Sequence, residues 1–248
     1  MTDPTPERID AVVLAGGLGT RLRSVVSDRP KPMAEVGGRP FLDLVLRNLR
    51  RVPGIGTVVL AVSHMAERIV EEYAHRSDLG FRIDFAVETA PLGTGGAIRN
   101  ALSKTCASTL VVTNGDTFVE VGWEALLRAH RDAKAELTVV LGKVDDAGRF
   151  GFVETDSRGR IVAFREKEPA GSPGRINAGV YVLARAAIER LPDGVPASFE
   201  KDVIPDLLAR GSIVCGFPTD GRFIDIGLPE SYHGAADYLR DHLGGGEQ

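Results

Sequence analysis

The chain has 248 residues, 43% hydrophobic and 26% charged, with a formal net charge of −4. That is the make-up of a globular protein with a sizeable core, and its acidic balance argues against general affinity for nucleic acid or an anionic membrane. No run reaches the ~18 apolar residues of a membrane span.

The opening "MTDPTPERID" is polar and has no apolar h-region, so it is not a secretory signal and a cytoplasmic location is expected. Cys106 and Cys215 stand in no CxxC or His-linked spacing, which supports neither a disulfide framework nor a zinc site. In chain order, "AVVLA" precedes a helix-like stretch from Phe41 to Arg51, and "TVVLAVS" precedes "MAERIVEEYAHR". "IDFAVE" precedes "GTGGAIRNALSK", and "TLVVTNGD" precedes "WEALLRAHRDA". Strand followed by helix in repetition predicts a parallel sheet with helices on both faces, and its buried strands read as continuous apolar runs.

The middle of the chain changes character. "LTVVLGKV", "GFVETD", "IVAFREK" and "NAGVYVL" read as strands, with "TDSRG" as a hairpin turn. A helix then fits "FEKDVIPDLLAR", with Ser198 as its N-cap. The last strand, "FIDIG", leads into a helix over "LPESYHGAADYLRDHL", with Pro229 suited to the first turn. There is no linker or repeat, and no hexapeptide array of the β-helix type. One domain over 1–248, with a core at about 9–243 and no C-terminal β-helix, is the expectation.

The stretch "AVVLAGGLGTRLRSVVSDRPKP" carries the first functional signal. A strand, a glycine-rich turn and a helix place backbone N–H groups at the C-terminal edge of a parallel sheet, where ligands bind and where such groups cradle phosphate. The P-loop and the GxGxxG dinucleotide fingerprint are both absent. On the residues alone, the glycines serve a tight turn equally well, and Lys31 between two prolines reads as an exposed loop residue.

With PKP downstream, GGxGTRL resembles the signature of the sugar-1-phosphate nucleotidylyltransferases, and five later blocks continue the resemblance in order. They are "PLGTGGAI", "NGDTF", "RFGFVETDSRGRIVAFREKEP", "NAGVYVL" and "FIDIGLPESY". One departure is EKEP where the family has EKP. Without the other blocks, Thr94 would read as a helix cap, Asp116 as a cap of the next helix, and the "REKE" run as a solvated strand end.

The resemblance implies a three-layer α/β/α Rossmann-like nucleotidyltransferase fold with a mixed, mostly parallel central sheet. It also implies a reaction that joins a nucleoside triphosphate to a sugar 1-phosphate and releases pyrophosphate. It assigns Leu14, Gly16, Gly17, Gly19, Thr20, Glu88 and Gly93 to the nucleotide. Gly151, Glu166, Lys167 and Asn177 go to the sugar phosphate, with Gly151 allowing close approach of the sugar. Asp116 and Asp225 would hold Mg²⁺. Arg21 would grip phosphate oxygens as pyrophosphate charge develops, and Lys31 would serve the α-phosphate. The nucleophile is already an anion, so no histidine base is expected; the five histidines are read as surface or packing residues and Trp123 as a helix anchor.

Glu88 stands where thymidylyl- and uridylyl-transferring relatives often carry glutamine. A carboxylate can accept in parallel from guanine N1–H and the 2-amino group, which favours GTP. In texture the chain is closest to the D-glycero-α-D-manno-heptose 1-phosphate guanylyltransferases. Mannose, N-acetylmuramate and glucose 1-phosphates stay open as substrates, as do a non-catalytic nucleotide-sugar sensor and a homo-oligomer.

Overall fold

The computed structural model describes residues 7–17, 19, 21–22, 24–147, 152–165 and 172–243. Thr20, Gly151, Glu166 and Lys167 therefore lie outside the described residues.

Strand β1 (Ile9–Leu14) lies inside the sheet. It pairs in parallel with β4 (Ile55–Val62) on one side and β6 (Thr109–Asn114) on the other. β5 (Arg82–Val87) continues the parallel set beyond β4. Antiparallel pairing begins at β11 (Gly174–Ala184), which joins β6 to β8 (Leu137–Val144). β12 (Val214–Thr219) then runs parallel to β8. A hairpin of β9 (Phe152–Thr155) and β10 (Ile161–Arg165) branches from β11.

The apolar strands are buried on both faces, and their alternate residues feed two separate cores. Ala11 and Val13 of β1, with Val58 and Leu60 of β4, pack under α1 (Phe41–Leu49), α2 (Ala66–Tyr73) and α4 (Trp123–Asp132). Val12 and Val59 face the other way, onto α3 (Gly93–Ala101), α5 (Arg185–Glu189) and α6 (Ile204–Ala209). The result is three layers, with a mixed and mostly parallel sheet in the middle. Leu46 of α1 is fully buried, and its truncation to Ala would cost about 2–5 kcal/mol.

One carboxylate inside this apolar frame has a structural task. Asp10 of β1 is fully buried and accepts from the backbone N–H groups of Thr57, Cys106 and Ala107 at 2.9, 2.8 and 2.9 Å. Burial pushes its pKa up, but those donors and Arg8 outweigh burial and hold it below the ordinary value. It ties the N-terminal ends of the central strands to the loop before β6.

The TDSRG turn closes the β9–β10 hairpin: Asp156 Oδ1 accepts from Arg158 and Arg160 N–H at 2.8 and 2.9 Å. Two expected helices are subdivided. Residues 199–210 open with a π-helical turn, Phe199–Val203, before α6. Ser198 does cap it, accepting from Lys201 N–H at 3.1 Å. The final helix breaks at Leu239 into α7 (Pro229–Tyr238) and α8 (Arg240–Leu243).

Candidate active site

A cleft of about 540 Å³ opens at the C-terminal ends of β1, β4, β5 and β6. Register explains the convergence. Leu14 lies opposite Ala61 and Asn114, and Val62 lies opposite Val87. The residues that follow these strands therefore emerge along one edge, as ligand sites in open α/β sheets do.

Gly16, Gly17, Gly19 and Arg21 come from the turn after β1 and line the cleft together with Leu14. Gly19 has φ +58°, and a Cβ there would sit 3.0 Å from the Lys31 Cβ. The bare backbone at this point lets the Lys31 stem pass beside the turn. Arg21 is exposed and forms no hydrogen bond or ion pair with a described residue, so its guanidinium is available to a ligand.

Lys31 begins a one-turn 3₁₀ helix, Lys31–Met33, flanked by Pro30 and Pro32. The prolines fix φ on either side and orient the side chain inward. Its ammonium donates to Asp116 Oδ2 and, at 3.4 Å, to Asp225 Oδ1. These two aspartates are brought together by a small second sheet. β13 (Phe223–Asp225) pairs antiparallel with β7 (Thr117–Val119), setting Asp225 opposite Thr117 and so beside Asp116. Asp225 Oδ1 also accepts from Gly227 N–H at 2.6 Å, which fixes its rotamer.

At the other end of the cleft, Glu88 follows β5, and its N–H donates to Val62 O at 2.9 Å. Its carboxylate accepts from Leu92 N–H at 3.3 Å through Oε2. Burial pushes the Glu88 pKa up, with the Leu92 contact opposing it. Gly93 and Thr94 open α3 along the same wall. Thr94 does not cap that helix. The Gly95 and Gly96 N–H groups donate to Ala197 O at 2.8 and 3.3 Å, and Thr94 Oγ1 donates to Glu200 at 2.9 Å.

The structure thus brings together ten of the residues singled out in the sequence: Leu14, Gly16, Gly17, Gly19, Arg21, Lys31, Glu88, Gly93, Asp116 and Asp225. Asn177 is not among the lining residues; its amide donates to Tyr181 OH at 2.9 Å and accepts from Gly179 N–H at 3.0 Å. Sequence reasoning gave no role to Ser63, Asn114 or Gly227, which also line the cleft. Asn114 lies inside the NGDTF block, and that was the available signal.

Two carboxylates facing one cation are hard oxygen donors of the kind that divalent metals take. Among the described residues, no third acidic, histidine or cysteine side chain completes a cluster around them. The donor set fits an ion whose remaining positions are filled by phosphate oxygens and water.

A glycine-rich turn, a pair of carboxylates on one lysine and a half-buried glutamate line one cleft at the strand ends of a three-layer α/β protein. The chain belongs to the nucleotidyl transferase family, whose profile matches residues 10–242. Members of this family generally use a divalent metal. The chain is 40% identical over 235 residues to the mannose-1-phosphate guanylyltransferase of Mycobacterium tuberculosis, covering 94% of this chain and 65% of that protein. It thus spans about two thirds of that relative's length. It is 39% identical to the D-glycero-alpha-D-manno-heptose 1-phosphate guanylyltransferase of Aneurinibacillus thermoaerophilus, over 95% of this chain and 100% of that one. The crystal structure of HddC from Yersinia pseudotuberculosis complexed with GMP-PN superposes with a TM-score of 0.81 at 37% identity, covering 93% of this chain and 99% of that one.

Proposed function

We propose that the chain is a Mg²⁺-dependent guanylyltransferase, joining GTP to a sugar 1-phosphate of the heptose or mannose type and releasing pyrophosphate. The observation that carries this reading is the meeting of Asp116, Asp225 and Lys31 at the mouth of the glycine turn, with Glu88 at the base end. The two guanylyltransferase relatives and the GMP-PN complex support the choice of base.

The chemistry needs no general base. An oxygen of the sugar phosphate attacks the α-phosphorus, and the bond from that phosphorus to the α,β-bridging oxygen breaks. Pyrophosphate leaves with the electron pair, and the anomeric bond is untouched. What the chain must supply is alignment of two polyanions and neutralisation of charge. The glycine turn holds the triphosphate through backbone N–H groups, and Arg21 takes the oxygens of the departing pyrophosphate. Lys31 turns from the carboxylates to the α-phosphate. Asp116 and Asp225 hold Mg²⁺, which when bound neutralises the reacting phosphate oxygens. Glu88 accepts from the guanine edge. Glu166 and Lys167 are proposed for the sugar and its phosphate on the resemblance alone.

The test is a grid of GTP, ATP, UTP and dTTP against heptose, mannose, glucose and N-acetylmuramate 1-phosphates, read by pyrophosphate release. GTP with a manno-configured sugar 1-phosphate should give the highest kcat/KM. A clear preference for UTP or dTTP would sink the guanylyl assignment.

A further inference from the structure

Asn114 ends β6 and lines the cleft two residues before Asp116. Its side-chain amide is half-buried and forms no hydrogen bond with a described residue, whereas Lys31, Glu88 and Thr94 of the same cleft are all paired. An amide carries two donors and an acceptor, which water can satisfy in the open cleft and a ligand's hydroxyl can take over.

The fold makes specific room for this side chain. β6 lies between β1, which carries the glycine turn, and β11. Against β8, the pairing of β11 slips between Asn177 and Tyr181. Gly179 sits inside this bulge with φ +71°, and a Cβ there would lie 2.5 Å from the Asn114 Nδ2. Only glycine both adopts that backbone and leaves the space. Asn177 holds the bulge in place, since its Oδ1 accepts from Gly179 N–H at 3.0 Å. The Asn114 amide is therefore packed toward β11, the side away from the glycine turn.

We infer that Asn114 is a specificity-determining residue that hydrogen-bonds the sugar hydroxyl on the ring carbon next to the anomeric phosphate. The inference rests on the proposed function, which puts the sugar phosphate at Asp116 and Asp225. A ring hydroxyl one carbon from the anomeric centre is then the group within reach of a side chain two residues upstream. Asn177, assigned to the sugar on resemblance, acts at one remove by fixing Gly179 and hence the amide.

The experiment measures KM and kcat for wild type and Asn114→Ala, using GTP and the sugar 1-phosphate that the wild type uses best. The same measurements are repeated with that sugar's 2-deoxy analogue. Asn114→Ala should raise the sugar-phosphate KM about tenfold, the loss of one neutral hydrogen bond, and leave the GTP KM within about twofold. The 2-deoxy analogue should cost the wild type a similar factor and cost the variant nothing further. Asn114→Asp, which keeps the shape but removes both amide donors and adds an anion, should also raise the sugar-phosphate KM and not the GTP KM. An unchanged sugar KM, a rise confined to GTP, or losses that multiply in the variant would overturn the inference alone. A wild type that turns over no sugar 1-phosphate with GTP would overturn both it and the function on which it rests.

Discussion

Asp116, in the turn between β6 and β7, and Asp225, at the end of β13, share one partner, the Lys31 ammonium. If they hold the metal, replacing either by Asn keeps the shape and removes half of the anionic donor set. Several kcal/mol of charge stabilisation would go, and at tenfold per ~1.4 kcal/mol turnover should fall at least about a hundredfold. Circular dichroism of each variant should stay native, and activity in excess EDTA should vanish. Full activity in EDTA or in either folded variant would remove the metal from the reaction. Glu88 makes a second claim at this scale. Glu88→Gln keeps the size but turns an acceptor into a donor facing guanine's own donors, so kcat/KM for GTP should fall about tenfold. UTP and dTTP, which offer carbonyl acceptors, should gain relative to GTP. An unchanged ranking across the three nucleotides would make Glu88 a strand-end residue with no part in reading the base.

At the scale of elements, α4 is joined to the sheet by a buried histidine. His130 is 5% exposed, and its Nδ1 lies 2.9 Å from Thr138 Oγ1 of β8. Burial pushes its pKa down from 6.5 to about 4. In the unfolded chain the ring takes a proton near pH 6.5, while in the folded protein it resists until about pH 4. The unfolded state thus binds more protons within that window, and stability falls as pH drops through it, by up to about 1.4 kcal/mol per unit. Urea denaturation at pH 7 and pH 4.5 should show a steeper loss for wild type than for His130→Asn, by about 2–3 kcal/mol; equal slopes would mean that the ring is protonated in the native state. The strands and helices of the first half were legible because apolar runs and amphipathic stretches alternate cleanly there. β12 was not: Gly216 and Pro218 interrupt it, and its edge position beside β8 lets it tolerate them. The π-helical turn at Phe199–Val203 was hidden because its geometry is imposed from outside, by Ala197 O on α3 and Thr94 Oγ1 on Phe199 N–H.

At the scale of the molecule, the candidate site was legible as a set of strand-end motifs, since parallel register brings every such end to one edge. Contacts across that edge were not, because they depend on the small β7–β13 pairing that puts Asp225 beside Asp116. Nor was the bulge of β11 in which Asn177 accepts from Gly179 N–H. The Lys31 pair of ion contacts ties the segment after the glycine turn to chain 85 and 194 residues away. Without it, two carboxylates face each other in a partly exposed site with no shared cation. Their repulsion at intermediate dielectric is on the order of 1 kcal/mol, or roughly 2–4 °C in the melting temperature of a chain this long. Lys31→Met should therefore melt lower than wild type in metal-free buffer. A divalent metal should restore the difference, since a ligand at a hundred times its Kd adds about 2.7 kcal/mol to the native state. In the wild type the same metal must first displace the ammonium, so its melting temperature should rise less. Thermal melts of both proteins across a Mg²⁺ titration, without nucleotide, decide the point. Equal melting temperatures in EDTA together with equal shifts in Mg²⁺ would show that Lys31 neither clamps these carboxylates nor competes for their cation.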